Sequence, residues 1–276
     1  MLCTVSDLPV HYEAYGSGRP IVLLHGYYPD HRLMTGCMEP VFAGRPGWLR
    51  LYADLPGMGQ TPARAWIDGA DKMLEVVLGF IDQVLPGRSF ALAGESYGGY
   101  LARGIVRQRP ERVTGLFLLC PLIVPDTGRR QLPPQATLVA DPALMASLSP
   151  KDAAEFDDVA VVQTAAHWAR FRDEVLPGLR LADRLFLERL RANAYGFPFD
   201  VDALPQPFER PSLILTGRQD TSVGYRDAWE LIEQYPRATL AVLDRAGHDL
   251  QIEQAGVFDA LVGEWLDRME AEEGSS

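Results

Sequence analysis

The chain has 276 residues, 47% of them hydrophobic, with 26 basic and 37 acidic side chains and a formal net charge of −11. That length suits one large α/β domain or a domain with an insertion, and the apolar content is enough for a sizeable core. So acidic a chain repels phosphate backbones and anionic lipid surfaces, and no basic cluster offsets this, which argues against nucleic acid and membrane partners.

The start, "MLCTVSDLPVHYEAYG", has no basic segment and no long apolar run, so it does not read as a secretory signal. Cys3, Cys37 and Cys120 are scattered and lack CxxC spacing; they read as free thiols suited to a reducing cytoplasm. "VHYEAYGSG" alternates and ends in glycines, as an edge strand and turn would. "PIVLLHG" is a solid apolar run, the signature of a strand buried on both faces. Residues 32–42 form a short helix, and "WLRLYADLPG" is the next strand. Residues 71–85 have helical length and period, with Asp68 as candidate N-cap. "SFALAGES" is a strand, "SYGGYLARGIVRQRP" a helix stopped by Pro110, and "VTGLFLLC" a further strand, too short to span a bilayer. This alternation with short connections predicts an α/β fold: a mostly parallel sheet with helices on both faces.

From 123 to 207 no strand-like run occurs. One helix starts at Ser149-Pro150, with Asp152 at capping-box spacing; "AAHWARFRDEVL" and "LADRLFLERLRANAY" follow. The α/β rhythm then returns with "PSLILTG", "YRDAWELIEQY", "ATLAVLD" and a last helix, "VFDALVGEWLDRME", before a frayed tail, "EAEEGSS". The division is an α/β core over 1–122, a helical insertion over 123–207 and the rest of the core over 208–276. An insertion after a strand's C-terminal end sits over the place where open parallel sheets bind ligands.

Gly94-Glu95-Ser96-Tyr97-Gly98 fits G-x-S-x-G between a buried strand and a helix, the context that motif requires. Such a turn strains the serine backbone and brings the flanking positions together, so glycine is needed at both. A serine hydroxyl needs a base and an orienting acid to become a nucleophile. Of the five histidines, His248 follows the last strand-like run, in a loop from which a base reaches the sheet's C-terminal edge. His11, His31 and His167 suit packing or surface roles, and His25 suits anchoring of its loop. Asp220 follows the strand "SLILT" and is the favoured acid; Asp126, Asp244 and Asp249 compete with it. The oxyanion donors would be the backbone N–H groups of Tyr97 and Tyr27.

"LLHGYY", "DLPGMGQT", "GESYGG", "LTGRQD" and "RAGHDLQIE" occur in this order over most of the chain, and with them the sequence resembles the α/β-hydrolase superfamily. The resemblance implies a Ser96–His248–Asp220 triad, a variable helical cap and a loop at Asp54 to Gly59 that structures the floor of the site. The serine departs from the aspartate nucleophile of haloalkane dehalogenases and many epoxide hydrolases. No GxGxxG, P-loop or HExxH motif is present, so neither a metal nor another cofactor is expected. Tyr28, Leu122, His167 and Trp168 are candidate pocket residues, although aromatics at helical spacing more often pack a core. The expected activity is cleavage of a small to medium, uncharged carboxylic ester or lactone through an acyl-enzyme. Alternatives are C–C bond hydrolysis, acyl transfer or cyclisation, and a non-catalytic ligand-binding protein of the same fold.

Overall fold

The computed structural model describes residues 1–273. Eight strands, β1 (Leu2–Val5), β2 (Leu8–Tyr15), β3 (Arg19–Leu24), β4 (Trp48–Ala53), β5 (Phe90–Glu95), β6 (Val113–Leu119), β7 (Ser212–Gly217) and β8 (Ala238–Leu243), form one sheet. Its order is β1-β2-β4-β3-β5-β6-β7-β8, with β3 to β8 parallel and β1 and β2 antiparallel. The apolar runs of β5 and β7 are buried at every residue, as expected for strands covered on both faces. Helices α1 (His31–Phe42) and α10 (Ala255–Glu273) pack together, as do α2 (Ala70–Val84) and α3 (Ser96–Gln108), and these pairs supply the helical layers. The connections run in opposite directions from β3, so its C-terminal end and that of β5 flank the crevice where open sheets bind ligands.

Several local expectations change. The strand in "VHYEAY" is not the edge: β1 pairs outside it through a tight turn at Ser6, whose φ is 55°. Gly69, not Asp68, occupies the N-cap of α2. Residues Asp227–Gln234 wind as a 3₁₀ helix without a side-chain cap at their start. The last helix runs through Glu273 and so includes part of the tail expected to fray, while 274–276 lie outside the described residues. No helix among the described residues is long and apolar enough to cross a membrane.

Between β6 and β7 the chain adds no strand to the sheet. It folds into α4 (Pro142–Ser147), α5 (Pro150–Asp157), α6 (Ala165–Arg170), α7 (Leu176–Leu181) and α8 (Arg184–Ala194). The Ser149 hydroxyl accepts from the Asp152 N–H at 3.1 Å, the cap its sequence implies. Phe171–Val175, between α6 and α7, wind as a π-helical turn. Two buried charged groups tie this cap to the core. Arg103 on α3 is fully buried, meets both carboxylate oxygens of Asp202 at 2.6 Å, and donates to the carbonyls of Leu122 and Ile123 at 2.8 and 3.2 Å. Glu253, at the end of α9 (Leu250–Glu253), accepts from Val161 and Val162 N–H of the cap at 2.7 and 3.0 Å and from Gly247 N–H at 2.5 Å. One carboxylate thus fixes a cap segment and the loop carrying His248. Burial pushes its pKa up to about 6.

Replacing Asp202 by Ala leaves a buried guanidinium without its counter-charge and should lower stability by about 3 kcal/mol, read by urea unfolding. In Glu253→Gln an amide N–H₂ faces a backbone N–H, with an expected loss of about 1–3 kcal/mol. A group whose folded pKa is raised stabilises fully below its usual 4.5 and loses that contribution as pH rises through about 6. The gap between wild type and Glu253→Gln should therefore be wider at pH 5 than at pH 7.

Candidate functional site

Ser96 opens α3 immediately after β5, in a left-handed backbone conformation with φ 51°. The turn is possible because Gly94 and Gly98 leave no room for a side chain: a Cβ on Gly98 would strike the carbonyls of Leu24 and His25, and one on Gly94 the backbone of Gly98. The carbonyl of Ser96 accepts from Leu122 N–H at 3.0 Å, so the chain leaving β6 braces the turn.

His248 lies in the loop after β8, with Nδ1 2.8 Å from Asp220 Oδ2. Asp220 is fully buried, and its other oxygen accepts from Ser222 and Val223 N–H at 2.8 and 3.0 Å, which fixes the carboxylate. The competing acids are engaged elsewhere. Asp126 binds Gly128 N–H at 2.9 Å, Asp244 binds the Gln219 amide at 2.9 Å, and Asp249 lies 3.4 Å from His167 Nε2. Burial opposes the charged form of His248, but the Asp220 charge and hydrogen bond, with Cys120 and Glu95, outweigh it and raise its pKa well above the usual value.

Glu95 is a site residue that the sequence alone did not single out. Its Oε1 lies 3.1 Å from His248 Nε2, it is 2% exposed, and its Oε2 has no hydrogen-bond partner. Burial raises its pKa, and His248 only partly offsets this. The only sequence signal was its place beside the serine in G-x-S-x-G, a position the motif leaves open.

Ser96, Glu95 and His248 share a cavity of about 800 Å³ with Tyr27, Tyr28, the cap residues Phe171, Val175 and Tyr195, and four cations: Arg130, Lys151, Arg184 and Arg191. Tyr27 donates its hydroxyl to the Leu187 carbonyl at 2.6 Å, which anchors the loop after β3 to α8. The Tyr97 ring stacks on Tyr195, with centroids 5.0 Å apart. Three expected pocket residues are placed elsewhere. Leu122 is buried and braces the Ser96 turn. His167 is buried, with Nδ1 2.7 Å from the Val162 carbonyl, and holds the cap to Asp249. Trp168 packs on Phe156 and Phe171, with centroids 5.4 and 6.1 Å apart. For both aromatics, core packing has outweighed pocket lining.

His11 and His31 serve the floor. Asp54 accepts from His31 Nδ1 at 2.8 Å and lies 3.0 Å from His11 Nδ1; it also accepts from the N–H groups of His31 and Gln60 at 2.9 Å. His25 Nε2 accepts from Leu55 N–H at 3.0 Å, so its proton sits on Nδ1, which donates to the Gly26 carbonyl at 2.8 Å. Two groups bring three metal-ligand-type atoms within 4.8 Å of one another: His11, His31 and Asp54, and Cys120, Asp220 and His248. Hydrogen bonds inside the first set, and the Asp220–His248 bond in the second, already account for their close approach.

Residues 19–255 match the family described as serine aminopeptidase, S33. The chain is 30% identical over 279 residues to a 2-hydroxy-6-oxononadienedioate/2-hydroxy-6-oxononatrienedioate hydrolase of Burkholderia vietnamiensis, covering 95% of this chain and 92% of that protein. A pimeloyl-[acyl-carrier protein] methyl ester esterase of Legionella pneumophila is 35% identical over 108 residues, 39% of this chain and 40% of that protein. The crystal structure of an alpha/beta superfamily hydrolase from Oenococcus oeni superposes with a TM-score of 0.87 at 29% identity, covering 95% of this chain and 96% of that one. With its eight-stranded, mostly parallel sheet, this chain belongs to the serine aminopeptidase S33 family of the α/β-hydrolase superfamily.

Proposed function

We propose that the protein is a serine hydrolase in which Ser96 is the nucleophile, His248 the base and Asp220 the orienting acid. The observation that carries this is the 2.8 Å Asp220–His248 contact in the same cavity as a serine held on a left-handed strand-to-helix turn. His248 Nε2 takes the Ser96 proton as Oγ attacks a carbonyl carbon. The backbone N–H groups of Tyr27, in the loop after β3, and of Tyr97, in the first turn of α3, are proposed to receive the oxyanion. Collapse of the adduct breaks the bond to the leaving group, which takes the proton from His248. Water, deprotonated by His248, then releases the acid and restores Ser96.

The lining supports an anionic substrate, where the sequence alone led to the expectation of an uncharged or apolar one. Arg130, Arg184 and Arg191 form no ion pair with a carboxylate among the described residues. Arg130 spends its donors on the carbonyls of Val124, Pro125 and Ser222, at 2.8 to 3.0 Å. Burial lowers its pKa, and the like charge of Arg191 adds to the effect. Arg191 lies over the Tyr195 ring at 5.6 Å. Arginines gathered without carboxylate partners in a chain of charge −11 suit a substrate carboxylate. The relative matched over its length acts on a dioate by name, so we favour a carboxylate-bearing acyl compound cleaved at a carbon–carbon bond beside a ketone. An ester of the same shape would undergo the same attack.

Fluorophosphonate labelling with peptide mapping should place the adduct on Ser96 and lose it in Ser96→Ala and His248→Ala. Each of these changes should lower kcat on the order of 10⁶-fold, and Asp220→Ala on the order of 10⁴-fold. Near-normal turnover by Ser96→Ala would end this mechanism. Arg191→Gln should raise KM for a carboxylate-bearing substrate by about tenfold or more and leave a neutral ester of the same acyl length unchanged. Equal effects on both substrates would reject the anion-binding role.

A further inference from the structure

The base proposed above must present an unprotonated Nε2 to Ser96. In this structure Nε2 instead meets Glu95 Oε1 at 3.1 Å. Asp220 takes the opposite ring nitrogen, Nδ1, at 2.8 Å and so holds the Nδ1 proton. A carboxyl oxygen this close to Nε2 favours a proton held by the pair, either as carboxylate and imidazolium or as carboxylic acid and imidazole. In neither form can Nε2 accept the Ser96 proton.

Glu95 is built into this position. It ends β5, its neighbour Ser96 begins α3, and its Oε2 presses against Gly26, where a Cβ would collide with it. Only glycine there gives the carboxyl its seat. With Oε2 unpartnered and the side chain lining the cavity, the group is buried without the hydrogen bonds that structural carboxylates normally make. A solely structural role would leave that cost unexplained.

We infer that Glu95 is a positioning residue that competes with Ser96 for His248 Nε2, holding the base in a protonated resting pair that must lose one proton before the nucleophile is activated. The inference rests on the hydrolase reading above. No bond other than that to the proton changes: the proton leaves to solvent, Glu95 is left ionised, and the bared Nε2 turns to Ser96 Oγ. The acid limb of activity then belongs to the Glu95–His248 pair. Other groups face the pair from each neighbouring element and are unchanged by substitution at 95. They are Cys120 at the end of β6, Asp220 after β7, Asp249 in the adjoining loop and Tyr195 from α8. A carboxylate stabilises the imidazolium, so removing it lowers the pH at which His248 becomes a base.

The test uses the full chain as wild type, Glu95→Gln, which preserves volume, and Glu95→Asn, which also withdraws the group from Nε2. The pH dependence of kcat/KM on p-nitrophenyl acetate is measured beside an ¹⁵N NMR titration of the His248 ring. The expected result is an acid limb moved down by about one pH unit or more, with the ring titration shifted the same way. An unmoved limb and unmoved titration in both folded variants would overturn the inference. So would a plateau lowered about a hundredfold on an unmoved limb, which would put Glu95 on the substrate. If wild type neither turns over ester nor accepts fluorophosphonate, the hydrolase reading fails, and the ring titration alone still decides whether Glu95 shares the His248 proton.

Discussion

The site depends on one strained peptide turn. Ser96 holds a left-handed backbone at the junction of a fully buried strand and a helix, a conformation that its surroundings must sustain. The bare backbones of Gly94 and Gly98, two residues to either side, make room for it, and the carbonyls of Leu24 and His25 and the Leu122 N–H hold it from distant segments. Tyr28 and Cys120, at neighbouring strand ends, also have positive φ, at 86° and 39°. Strain is thus gathered along the C-terminal edge of the sheet, around the cavity, and the buried strands supply the rigidity that sustains it.

On that edge the electrostatics are divided by layer. Below the cavity, Asp54 gathers two imidazoles and two backbone N–H groups; burial raises its pKa, but the His31 hydrogen bond, the charges of His25 and His31 and the Gln60 N–H outweigh it and hold the carboxyl far below the usual range. At cavity level, His248 stands between two buried carboxyl groups, one fixed by backbone donors and one with an oxygen left bare. Above, the cap contributes arginines without carboxylate partners.

The cap is bonded to the loop that carries His248 as well as laid over it. Glu253 binds the cap backbone at Val161 and Val162 and the loop backbone at Gly247 through one carboxyl group, and His167 reaches from α6 to Asp249 beside His248. One carboxyl group and one imidazole therefore tie the cap to the histidine loop. The aromatic residues of α6 seal this joint by packing on Phe156, which is why the ones that looked like pocket lining in the sequence lie outside it.

The sequence alone determined the alternation of strands and helices, the helical interruption after β6, the serine turn, and Asp220 and His248 as the partners to test. Each is written in short-range terms: runs of apolar residues, glycines at fixed offsets, and polar residues just past strand ends. The extra edge strand β1 was missed because four residues carry too little period to register. Tertiary structure alone decided what Glu95, Arg130, Arg191, His167 and Trp168 do. Glu95 and His248 meet only because β5 and the loop after β8 end on the same edge, and the arginines converge only because the cap folds back over it. Whether an aromatic faces a cavity or a neighbouring helix is set by packing between distant segments, and periodicity along one helix does not contain that information.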